Sequence, residues 1–165
     1  MKRHFVGMCA MLWAGHVAAD GLPGVSDAAR AQVNYMLHCR GCHGPDGAGS
    51  ADGTTVPRMN GFVGNFLKVV GGREFLVRVP GSANAPLSDI ELAELLNWML
   101  PTLSGSEMPT DFVPYSGEEV ARLRARPVSD PADVRSQLVA QIKGESGGED
   151  VLVDGKTVDD TFTGE

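Results

Sequence analysis

Cysteine is scarce in this chain: three in 165 residues, one of them (Cys9) in an apolar N-terminal stretch. That excludes a disulfide framework, which needs several paired cysteines. Histidine is scarce too, with only His38 and His43 beyond residue 19. A structural zinc site needs four ligands, usually in two well-separated pairs. Here it would have to crowd His38, Cys39, Cys42 and His43 into six residues, too tight for a relaxed tetrahedron. No apolar run reaches the roughly 20 residues of a comfortable membrane span. Basic residues are also in deficit, 14 against 21 acidic, for a net charge of −7. Such a surface is poorly suited to nucleic acid or anionic lipid. No internal repeat is visible.

What the chain does contain is Cys39-Arg40-Gly41-Cys42-His43. C-x-x-C-H reads as a covalent haem attachment site. The two thiols have the spacing to bond the two vinyl groups of one haem, and the histidine that follows lands under the iron as its proximal ligand. A redox-active dithiol is the main rival, but it belongs beside a βαβ pattern. The flanks here are helical upstream and glycine-rich downstream, with no strand leading in. One such motif predicts one haem.

Residues 1–19 have the layout of a secretory signal. Lys2 and Arg3 form a positive start, Phe5 to Trp13 is mostly apolar, and Val17-Ala18-Ala19 places small residues before Asp20. Met8 precedes Cys9 where a lipid-attachment signal wants a small residue. Removing Lys2 and Arg3 leaves 12 basic residues against 21 acidic, a net charge of −9. That acidity serves solubility, and it also suits steering toward a basic patch on a partner protein.

Hydrophobic spacing predicts an all-α chain. A first helix is expected over 27–38, capped by Ser26 or Asp27, with Ala29, Val33, Met36 and Leu37 on one face. Residues 44–55 form a glycine-rich loop. A second helical piece spans Phe62 to Val70, and 73–87 is expected to be irregular or briefly helical. Ser88 and Glu91 make a capping box that opens a strong helix to Leu100, which Pro101 ends. Ser116 and Glu119 form a second box, for a short helix to Arg126. A last amphipathic helix after Asp130-Pro131 carries Val134, Leu138, Val139 and Ile142. The predicted organisation is therefore a leader (1–19), one domain (20–126), a helical extension (127–143) and a disordered acidic tail (144–165).

The stretch "CRGCHGPDGAG" resembles the attachment segment of class I c-type cytochromes, the monohaem cytochrome c family, in which a small glycine-rich loop wraps the haem edge. The resemblance implies a small helical bundle wrapped around one covalent haem c, held by Cys39, Cys42 and His43, with maturation outside the cytoplasmic membrane. It also implies a methionine on the far side of the iron, which raises the potential. Met108, followed by Pro109 between two capped helices, is the first candidate and Met59 the second. Met36 and Met99 fall on helix faces where packing is favoured. If the Ser88 helix is instead the terminal helix of the fold, the family's Met-Pro position falls at Val79-Pro80-Gly81, and Val79 cannot ligate iron. Arg73 and Trp98 are candidates to bond the haem propionates, set against a solvated arginine and a core tryptophan. Tyr35 is expected to pack.

These readings lead first to a periplasmic carrier of single electrons, not an enzyme, that works between a dehydrogenase or membrane complex and a downstream acceptor. The alternatives are a five-coordinate haem protein that binds a small ligand and a dedicated cytochrome subunit of a dehydrogenase.

Overall fold

The computed structural model describes residues 21–52 and 55–144; the leader expected at 1–19 and, apart from Gly144, the tail expected at 144–165 lie outside them. Among the described residues all regular structure is helical: α1 (Ala28–His38), α2 (Arg40–His43), α3 (Gly72–Arg78), α4 (Pro80–Ala83), α5 (Asp89–Ser104), α6 (Gly117–Arg124) and α7 (Pro131–Ile142). Two 3-10 helices, Val63–Lys68 and Gly105–Glu107, complete the set. The expected all-α architecture is what the chain adopts.

α5 is the axis of the molecule, with α1 and α6 packed along it. Its start is the capping box read from the sequence: Ser88 Oγ accepts the Glu91 N–H at 3.3 Å, and the Glu91 carboxylate accepts the Ser88 N–H at 2.9 Å. Leu92, Leu95, Leu96, Met99, Leu100 and Leu103 are all buried along it. Pro101 does not end this helix, contrary to expectation; the helix continues to Ser104. Proline removes one N–H and strains the preceding turn. Here the Thr102 hydroxyl donates to the Trp98 carbonyl at 2.6 Å, and the extra turn buries Leu103 and Ser104. Burial outweighs the local preference.

α1 is capped by Asp27, whose carboxylate accepts the Arg30 N–H. Its buried face differs from the expected one. Ala31, Asn34 and Tyr35 turn inward, while Val33, Met36 and Leu37 are 51%, 49% and 69% exposed. The small Ala31 lets α5 approach, and the Tyr35 ring meets Trp98 with centroids 5.8 Å apart. α1 therefore carries two apolar stripes, and the one the protein covers is not the larger. The crossing is sealed by Glu94 of α5, which accepts the N–H groups of Ser26 and Asp27 at 2.8 Å each and pairs with Arg30.

The piece expected at 62–70 is the 3-10 helix Val63–Lys68. A Cβ at Gly64 would stand 2.7 Å from Ser104 Oγ and 2.8 Å from the Glu107 carbonyl, so glycine permits the end of α5 to lie on this segment. Residues 73–87 form α3 and α4, in line with the short helical structure expected there. Beyond α5 the chain returns along the molecule. Buried Asn97 bonds the carbonyls of Gly24 and Tyr115 and accepts the Tyr115 N–H at 2.7 Å, joining three segments. Ser116 caps α6 through the Glu119 N–H. The second half of that capping box does not form, because the Glu119 carboxylate is taken by Arg73. α7, capped by Asp130, buries Val134 and Leu138 in the common core.

Candidate haem-binding site

α1 runs directly into the motif. Cys39 closes α1 through its N–H to the Tyr35 carbonyl at 2.9 Å and at once begins α2, where the His43 N–H returns to the Cys39 carbonyl at 3.0 Å. Cys39, Cys42 and His43 therefore stand at i, i+3 and i+4 of one helical turn, the spacing that places side chains on a common face. Gly44 follows with φ of 80°, a left-handed conformation that turns the chain back on itself.

The loop after Gly44 folds onto the histidine. The Gly49 N–H donates to the His43 carbonyl at 2.9 Å, and the amides of Met59 and Asn60 donate to the Gly47 carbonyl at 2.8 and 3.1 Å. His43 Nδ1 is buried without a well-formed hydrogen bond, and the nearby Pro57 carbonyl favours its protonated form. Burial is the larger influence and lowers the His43 pKa, so the ring is neutral at pH 7. A neutral imidazole is the form that binds a metal. With Nδ1 buried, Nε2 is the nitrogen available to iron.

The thiols separate the competing readings. Both cysteines are free; Cys39 is half-buried and Cys42 exposed. Burial, reinforced by Cys42 beside it, pushes the Cys39 thiol up to about 11. A redox-active dithiol works through a thiolate of lowered pKa, and Cys39 has the opposite environment. Among the described residues no group of three or more His, Cys, Asp or Glu side chains could hold a metal ion. The uncovered stripe Val33, Met36 and Leu37 lies on the helix that leads into Cys39. An imidazole whose Nδ1 is buried while Nε2 is left for a metal, two free thiols on the same turn and uncovered apolar surface beside them fit a covalently held haem.

Tyr35 packs, as expected, and also does more. Its hydroxyl donates to the Gly44 carbonyl at 2.8 Å and so ties α1 to the residue after His43. The sequence offered the spacing of nine residues but no signal for this bond. Arg73 is committed elsewhere: it pairs with Glu119 at 2.6 Å, donates to the Val113 and Pro114 carbonyls and lies 3.9 Å over the Tyr115 ring. Trp98 is half-buried against Tyr35. Met59 sits on the loop hydrogen-bonded to Gly47, and Met108 follows the 3-10 helix Gly105–Glu107, half-buried. Met99 is in the core and Met36 is exposed on α1. Two clefts elsewhere on the surface, one beside Arg73 and Phe112 and one beside Ile90 and Glu94, include none of the motif residues.

An all-helical fold presenting C-x-x-C-H on one turn, with a half-buried imidazole at its end, defines a haem-protein architecture. No known family model matches the chain. It is similar to a cytochrome c-552 of Thermus thermophilus, at 29% identity over 123 residues, covering 64% of this chain and 82% of that protein. A second cytochrome c-552 of Thermus thermophilus is 30% identical over 112 residues, covering 57% of this chain and 84% of its own length. The chain belongs to the c-type cytochromes.

Proposed function

We propose that the protein is an exported, monohaem carrier of single electrons. One haem c is bound covalently through Cys39 and Cys42, with His43 on the iron. The observation that carries this reading is the single helical turn that places both thiols and the imidazole at i, i+3 and i+4, with Nδ1 buried. Once bound, the haem supplies an iron that cycles between ferrous and ferric states.

The residues of the chain do the rest. α1 packs along α5 and carries the attachment turn α2 at its end, and Tyr35 fixes the chain just after His43. Residues 44–52 and 55–61 fold back on the imidazole through the Gly49 N–H to the His43 carbonyl and the Met59 and Asn60 N–H groups to the Gly47 carbonyl. The acidic mature surface steers the carrier toward a basic patch on its redox partner, a donor dehydrogenase or membrane complex on one side and an acceptor on the other. In this reading residues 1–19 are removed after export to the periplasm, and no membrane insertion remains; none of the described helices is long and apolar enough to span a bilayer.

A spectroelectrochemical titration of the matured protein tests the reading. A carrier gives a single reversible one-electron wave with isosbestic spectra. Irreversible reduction, or turnover of an added substrate without net electron exchange, would remove the proposal.

A further inference from the structure

We propose that the surface built around residues 109–119, with the exposed side chains of Val113 and Ile90, is the docking face for the basic patch of the partner protein. The inference rests on the carrier reading above and names the face through which such a carrier meets its partner.

The chain at 112–116 has no regular secondary structure, yet its backbone is pinned. Arg73 donates to the carbonyls of Val113 at 2.7 Å and Pro114 at 3.3 Å. Asn97 accepts the Tyr115 N–H at 2.7 Å and donates to the Tyr115 carbonyl at 3.0 Å, and the Tyr115 hydroxyl donates to the Arg73 carbonyl at 2.9 Å. Tyr115 is thereby buried, whereas Val113 is left 67% exposed. Where α6 begins, a Cβ at Gly117 would stand 2.8 Å from Ile90 Cγ1, so glycine lets the segment lie against Ile90, itself 73% exposed. A backbone bonded this fully needs little further ordering when a partner arrives.

Residues 109–119 line both of the surface clefts. One, of about 470 Å³, is bounded by Leu67, Arg73, Phe112 and Val113. The other, of about 360 Å³, is bounded by Val25, Ile90, Glu94 and Tyr115. Two exposed aliphatic side chains, each at the edge of a hollow that can receive one from outside, are what a protein-contact surface requires. Neither cleft includes Cys39, Cys42 or His43, so this face is distinct from the attachment turn.

The rim sets the sign of the partner. Arg73 is paired with Glu119 at 2.6 Å, and the Glu94 carboxylate is paired with Arg30, so neither cleft adds net positive charge. Glu91, beside Ile90, and Glu118, beside Gly117, are exposed, as is Asp111 at the edge of the first cleft. α6 is polarised in the same sense: its acidic residues stand in the first turn, next to the clefts, and its basic ones in the last. Of these, Arg124 is taken by the carbonyls of Ala83, Ala85 and Leu87. An aliphatic pair inside a negative rim selects a protein surface that brings apolar side chains ringed by lysine or arginine. It disfavours an acidic protein or an anionic lipid surface.

The test titrates the full-length protein, matured with haem, against a short synthetic peptide that alternates lysine with leucine, and against an oligolysine of equal charge. Calorimetry reads the affinity and amide hydrogen exchange maps the contact. Ile90→Ser and Val113→Ser are compared with wild type; both side chains are mostly exposed, so their truncation leaves the fold intact. The proposal expects saturable binding of the lysine–leucine peptide, protection confined to 109–119 and the start of α5, and affinity at least about tenfold lower in each serine variant. Asp111→Asn combined with Glu118→Gln should weaken binding and flatten its salt dependence. Absence of saturable binding, equal binding of the oligolysine, or affinity unchanged within about twofold in both serine variants would overturn it. Protection centred on 28–43 would overturn it by moving the contact to the attachment turn. A concentration-dependent dimer of the protein alone, abolished by Val113→Ser, would overturn it too, because a second copy would then own the face. No electron transfer enters this titration, so failure of the carrier reading shows separately, in the spectroelectrochemical wave.

Discussion

Replacing Glu94 by glutamine should loosen the crossing of α1 over α5, and the size of the effect follows from its surroundings. The carboxylate is buried, which by itself raises its pKa. The Ser26 hydroxyl, the Arg30 guanidinium and the N–H groups of Asp27 and Ser26 outweigh that penalty and hold the pKa at about 2, against 4.5 ordinarily. At about 1.4 kcal/mol per unit, the difference sets a ceiling of about 3 kcal/mol. The Arg30 side chain is 45% exposed, so solvent screening reduces its share. The expected loss is about 1–2 kcal/mol, or roughly 4–10 °C in melting temperature for a domain of this size. Because the folded pKa is depressed, the stabilisation is complete above about pH 5 and disappears as pH falls through 4.5 toward 2. Thermal melts of the matured wild type and Glu94→Gln at about pH 7 and about pH 3 measure this directly. A difference below about 1 °C at neutral pH, or one that grows on acidification, would refute the reasoning.

Leu138→Ala in α7 should cost about 2–5 kcal/mol in urea unfolding, since Leu138 is fully buried in the common core; a change within about 0.5 kcal/mol would mean that α7 is an appendage. Tyr35→Phe removes the bond to the Gly44 carbonyl and should cost about 1 kcal/mol while leaving haem attachment intact, as read by urea unfolding and haem stain together.

The grouping of Cys39, Cys42 and His43 on one turn was legible, because it depends on spacing within a few residues. The caps at Asp27, Ser88, Ser116 and Asp130 were legible for the same local reason. What the sequence misplaced was set by partners far along the chain. α1 has two apolar stripes, and only the position of α5 decides that Ala31 and Tyr35 face inward. Pro101 stays helical because burial of Leu103 outweighs a lost hydrogen bond. Arg73 is neither solvated nor free for a propionate, because Glu119, 46 residues away, has given up its capping role to bind it. The apolar face of the helix after Asp130-Pro131 was legible from its spacing, but not its partner: Val134 and Leu138 close the core beside the 3-10 helix Val63–Lys68.

The most direct measurement is the intact mass of the matured protein under denaturing conditions, alongside Cys39→Ser, Cys42→Ser and the double variant. The account predicts a mass for wild type equal to the mature chain plus one haem, retained after acid–organic extraction and lost in the double variant. A haem-free mass, or haem removed from wild type by extraction, would contradict it.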